Sequence, residues 1–178
     1  MPSVRRPIVK RLGAATLAIV FACGTALNTQ AGHIGVKVEN LSGTNGVFLT
    51  PMWVGFHNGS FDLFDAGVAL APGGGLERLA EDGPTGPLSG EFTSSAAAMA
   101  GGVDGTIIAP AGFPGAPVFD PGDRGKAIFN LDPTANRYFS YASMVIPSND
   151  AFIGNDDPTA IELFDASGQF VGPLAITV

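Results

Sequence analysis

Lys126-Ala127-Ile128-Phe129-Asn130-Leu131 and, five residues later, Arg137-Tyr138-Phe139-Ser140-Tyr141-Ala142-Ser143-Met144-Val145-Ile146 decide the fold. Both runs are rich in β-branched and aromatic residues, and the Asp132-Pro133-Thr134-Ala135-Asn136 interval has turn chemistry, so the pair predicts a β-hairpin. Upstream, Ile34, Val36 and Val38 alternate with Gly35, Lys37 and Glu39, a period-2 strand that ends at Asn40 and a Ser42–Gly46 turn. Val47–Thr50 leads through Pro51 into Met52–His57, and a proline between two apolar runs predicts an edge strand or a bulge. Leu76, Leu79 and Ala80 have helical spacing between Gly73-Gly74-Gly75 and Gly83-Pro84, which predicts one short helix. Residues 89–117 read as loop-heavy, with Thr106-Ile107-Ile108 as a short strand. Ile161 and Leu163, Gln169-Phe170-Val171 and Leu174–Val178 add further strands around the Asp165–Gly168 turn. About eight short strands between turns predict an all-β antiparallel β-sandwich.

The chain has 178 residues, enough for one sizeable core, and its 25 glycines and 14 prolines suit many turns better than long helices. A formal charge of −7 opposes the basic footprint that a phosphate backbone demands, which argues against nucleic acid as a partner.

Arg5, Arg6, Lys10 and Arg11 precede an uncharged run from Leu12 to Leu27, and small residues at Thr29 and Ala31 offer a cleavage point before Gly32. This is the pattern of an export signal over residues 1–31, followed by a domain over 32–178. The apolar run is shorter than the ~20 residues of a membrane-spanning helix, so no transmembrane anchor is expected after processing. Val20-Phe21-Ala22-Cys23 offers a second outcome, lipidation at Cys23 with the product anchored to a membrane. Removing residues 1–31 takes away those four cations and none of the 16 acids, so the formal charge falls from −7 to −11. The product then lacks cysteine, and with no disulfide its stability rests on core burial or a bound ion. An acidic exported domain without cysteine suits Ca²⁺, which takes hard oxygen donors.

The densest polar cluster beside a strong strand is Pro147-Ser148-Asn149-Asp150-Ala151-Phe152-Ile153-Gly154-Asn155-Asp156-Asp157-Pro158. A strand that leaves the core into three carboxylates and two carboxamides brings oxygens to one end of a sandwich. Backbone carbonyls would complete the roughly 6–8 ligands that Ca²⁺ takes. The same residues also make ordinary solvated turns, and their spacing is not that of an EF-hand.

The segment Ser143-Met144-Val145-Ile146-Pro147-Ser148-Asn149-Asp150-Ala151-Phe152-Ile153-Gly154 resembles the spondin domain, the N-terminal module of F-spondin and mindin. Pro51–His57, Phe61–Gly67, Leu79–Gly83 and Leu163–Ala166 match bacterial members in the same order, so the resemblance spans most of residues 34–178. It implies a C2-like sandwich that binds one Ca²⁺ and serves in cell adhesion or extracellular-matrix contacts, not catalysis. Its partner would be an extracellular protein or glycan. Carried over by residue, Asp150 becomes a carboxylate ligand and Gly154 a main-chain ligand. An upstream acid is also implied, with Asp123 chosen over Asp120 and Asp132, and Asp156 and Asp157 are near enough in sequence to join. Phe152 stands one place later than the aromatic residue of the animal pattern.

Two other classes compete with an exported binding module. A secreted hydrolase would draw its catalytic group from His57, Glu81, Asp82 and Asp150, although no Gly-x-Ser-x-Gly elbow occurs and adjacent Glu81 and Asp82 diverge on a helix. A structural subunit of the cell envelope would reveal itself by self-association.

Overall fold

The computed structural model describes residues 17–23, 32–109 and 117–178. Its strands are β1 (Leu17–Cys23), β2 (Gly32–Asn40), β3 (Phe48–Leu49), β4 (Met52–His57), β5 (Val103–Ile107), β6 (Arg124–Leu131), β7 (Tyr138–Ile146), β8 (Phe152–Gly154) and β9 (Ala175–Thr177). Three helices, α1 (Gly75–Asp82), α2 (Gly86–Thr93) and α3 (Ala96–Met99), lie between β4 and β5. Strands outweigh helices, 35% to 14%, and every sheet pairing is antiparallel, so the chain is the all-β sandwich that its turn-bounded strands predict.

One sheet runs β6-β2-β1-β9 and the other β3-β7-β4-β5, with β8 also paired to β7. The period-2 pattern of β2 sends Ile34, Val36 and Val38 inward against Val54, Phe56, Phe139 and Tyr141 of the second sheet. β4 and β7 are buried on both faces because a second core lies behind them. There Trp53, Ala142 and Met144 pack against Phe61, Leu76, Leu79, Leu88, Phe92 and Ala97. The Trp53 ring centroid is 5.7 Å from those of Phe61 and Phe92, and its indole N–H donates to Asp104 at 3.1 Å.

The predicted hairpin of 126–131 with 137–146 does not form. β6 pairs with β2 and β7 with β4, so the two runs lie in opposite layers. β6 alternates between exposed and covered residues, which suits an edge strand, whereas β7 is almost wholly buried and belongs in the middle of the covered sheet. Asn136 fixes the crossing, its amide donating to the carbonyls of Phe56 and Gly101 and its oxygen accepting from the Asp132 N–H.

The segment read as loop-heavy instead opens with α2 and α3, so the described residues hold three helices and not one. Pro87 sits in the first turn of α2, and Leu88 and Phe92, four apart, bury one stripe. Pro51 does mark an interruption, since β3 and β4 flank it and both pair with β7. The strands expected at 161–163 and 169–171 reduce to isolated bridges, Tyr138 with Glu162 and Phe164 with Phe170.

Of residues 1–31, which the sequence reads as an export signal, only 17–23 are described. They form β1, which inserts between β2 and β9. The basic run before it and the cleavage point at Ala31 lie outside the described residues. Among those that are described, no helix is long and apolar enough to cross a membrane.

Candidate functional site

Asn40, at the end of β2, organises one end of the sandwich. Its buried side-chain amide donates to the carbonyls of Val47 (2.8 Å) and Phe119 (2.9 Å), and its oxygen accepts from the N–H and hydroxyl of Ser42. Its own N–H donates to the Asp123 carbonyl and its carbonyl accepts from the Gly122 N–H. One residue thus ties the 42–46 loop to the 120–123 turn. Between them lies a solvent-open depression of about 530 Å³ lined by residues 42–46, Phe48 and residues 120–122.

Asp120 stands on that wall. Its N–H donates to Asp123 Oδ2 at 3.1 Å and the Asp123 N–H donates back to the Asp120 carbonyl, which closes the turn. Asp120 Oδ1 is buried and accepts no hydrogen bond; it is the one such side-chain oxygen or nitrogen among the described residues. A buried acceptor without a donor costs free energy, on the order of 1–3 kcal/mol, unless a proton, a water or a cation satisfies it.

Asp150 belongs to the same end. Leu49 bridges Phe119 on one side and pairs with Val145 on the other, so the 120–123 turn and the 147–150 turn emerge on either side of β3. Ser148 builds the second turn, its hydroxyl donating to the Val145 carbonyl and accepting from the Ala151 N–H, and this leaves the Asp150 carboxylate exposed. Gly154 lies in β8 opposite Ala142, where a Cβ would stand 3.0 Å from the Tyr141 carbonyl oxygen and 3.4 Å from the Phe64 ring. Close packing alone accounts for a glycine at this position.

Asp156 and Asp157 do not join Asp150. Ala151 lies beside Val145 and Asn155 beside Tyr141, so β8 carries the chain back along β7 by four residues, about 14 Å at ~3.4 Å each. Asp157 there accepts from the Thr159 N–H (2.7 Å) and hydroxyl (2.8 Å), bonds that hold its carboxyl below the usual carboxylate range. Asp132, the third upstream candidate, also lies at that far end, accepting from the N–H groups of Thr134 and Ala135. Of the three upstream acids, Asp120 and Asp123 therefore share the end with Asp150 and Asp132 does not. No group of three or more His, Cys, Asp and Glu side chains among the described residues is placed to hold a metal, so carbonyl oxygens would have to supply most ligands there.

His57 is fully buried. Its Nδ1 accepts the Gly59 N–H at 3.0 Å, so the ring proton is on Nε2 and donates to Ser140 Oγ at 2.9 Å. Burial pushes its pKa down to about 4. Glu81 and Asp82 are exposed on the last turn of α1. His57 and Asp150 flank opposite ends of β7, so the four hydrolase candidates do not converge.

The sequence does not point to Asn40, and it offers Asp120 only as an alternative to Asp123, alongside Asp132. The signal for Asp120 was local, an acid between the apolar pair Val118-Phe119 and the turn Pro121-Gly122, which makes it the first polar residue to leave the core. Compared with known protein families, curated proteins and solved structures, the chain matches none.

Proposed function

We propose that the chain is an exported binding module, stabilised by Ca²⁺ and similar to the spondin domain, whose 42–46, 120–123 and 147–150 loops meet an extracellular protein or glycan. The observation that carries the cation is the buried Asp120 Oδ1, a side-chain oxygen with no donor in a residue that also lines the depression between the 42–46 loop and the 120–122 turn. Ca²⁺ is the ion that suits such a place, because it accepts one carboxylate together with several neutral carbonyls. Asp120 would hold it with carbonyl oxygens of the surrounding loops, and Asp123 and Asp150 would add negative charge at its rim. Its role would be structural, joining the 42–46 loop to the 120–123 turn so that the binding end is rigid when the partner arrives. The ordered motifs that resemble the spondin family support a calcium-binding module, with Asp150 rather than Asp120 as the carboxylate they imply.

An ion bound only by the folded state adds RT ln(1 + [L]/Kd), about 2.7 kcal/mol at 100 times Kd. At roughly 2–4 °C per kcal/mol for a chain of this size, EDTA should lower the melting temperature by about 5–10 °C. Asp120→Asn should remove that difference. A melt that EDTA leaves unchanged excludes the cation, and a response that survives in Asp120→Asn puts it elsewhere.

A further inference from the structure

β1 fills a place that the processed chain would have to leave empty. It pairs with β2 from Leu17 opposite Asn40 to Cys23 opposite Ile34, and among the described residues it is the one ladder partner of β9, through Ala18 with Thr177 to Val20 with Ala175. Cleavage after Ala31 removes all of it, and cleavage before Cys23 removes all but its last residue. Either event bares one edge of β2, a nine-residue strand whose inner side chains Ile34, Val36 and Val38 are at most 1% exposed, and leaves β9 unpaired. An open edge of alternating aliphatic residues without proline is a template for another strand.

We propose that the β1 position is a strand-acceptor slot and that β2 of a second copy takes it in the processed protein; the inference rests on the export reading of residues 1–31. β2 is self-complementary as an antiparallel partner. A two-fold axis through Val36, the midpoint of Gly32–Asn40, overlaps the strand along its whole length and keeps inner faces on one side. It sets Ile34 opposite Val38 of the second copy and Val36 opposite Val36, so that the buried residues pair only with one another. On the outer face it sets His33 opposite Glu39 and Gly35 opposite Lys37. Centring on Lys37 would set lysine against lysine, and centring on Gly35 would leave Val38 unmatched. The joined sheet would run β6-β2-β2-β6, with β9, now lacking its ladder, displaced.

The test uses the full chain produced in an exporting bacterium, with intact mass and sedimentation velocity measured on the processed product and on His33→Glu and His33→Lys. His33 is exposed on the outer face, so both variants keep the core. The expected result is a dimer lacking residues 17–22, whose dissociation constant rises roughly fivefold in His33→Glu, where two Glu–Glu pairs form, and does not rise in His33→Lys. A mass that retains residues 17–23 overturns both the export reading and the slot. A processed protein that stays monomeric, or a dimer that responds alike to both variants, overturns the slot and leaves export standing.

Discussion

At the scale of single residues, Asp120 and His57 treat their buried side-chain polar atoms in opposite ways. Asp120 leaves one carboxylate oxygen without a donor, whereas His57 satisfies both ring nitrogens and stays neutral. Asp120→Asn removes the charge that calcium would balance. In EDTA the variant should therefore be as stable as the parent or more so, by about 1 kcal/mol in urea denaturation, while losing its response to calcium. A variant that is clearly less stable in EDTA would mean that the carboxylate is already satisfied within the protein. For His57 the folded value of about 4 lies below the ordinary 6.5, so between these values the unfolded chain binds the extra proton. Stability should consequently fall as pH drops from about 6.5 toward 4, by at most about 3 kcal/mol from this residue. Melting temperatures across that range should fall less steeply for His57→Gln than for the parent, and parallel profiles would remove His57 from the account.

At the scale of elements, what could be read in the sequence was what local periodicity determines. The alternation of β2 gave its inward face, and the β-branched and aromatic run of 137–146 gave a strand. The partner of that strand was not legible, because pairing depends on which layer offers cover, and the cover over β7 comes from helices whose own signal was only Leu88 and Phe92 among glycines and serines. The site divides in the same way. Asp150 could be found from its turn, but the place of the Asp120 turn is tied to β2 by the Asn40 amide donating to the Phe119 carbonyl 79 residues away. Two glycines test the packing. At Gly125 a Cβ would lie 2.4 Å from the Ile108 carbonyl oxygen and 2.9 Å from the Phe119 ring, so Gly125→Ala should cost about 1–3 kcal/mol. At Gly90, inside α2, a Cβ meets nothing within 4 Å, and Gly90→Ala should gain about 0.5–1 kcal/mol. Chemical denaturation checks the pair, and equal effects at the two positions would contradict the β5–β6 approach.

At the scale of the molecule, the sandwich has two cores but no cysteine after residue 31, so an exported product would rely on burial and on the ion to hold its loop end. Asp120, Asp123 and Asp150 come to one end of the sandwich on two separate turns, and Asn40 ties one of these, the 120–123 turn, to the 42–46 loop. The most direct measurement is anomalous diffraction from crystals of the processed protein grown with calcium. The account predicts a peak about 2.3–2.6 Å from Asp120 Oδ1. Crystals in saturating calcium with no peak there, and with Asp120 Oδ1 taken up by a protein donor or a proton, would contradict it.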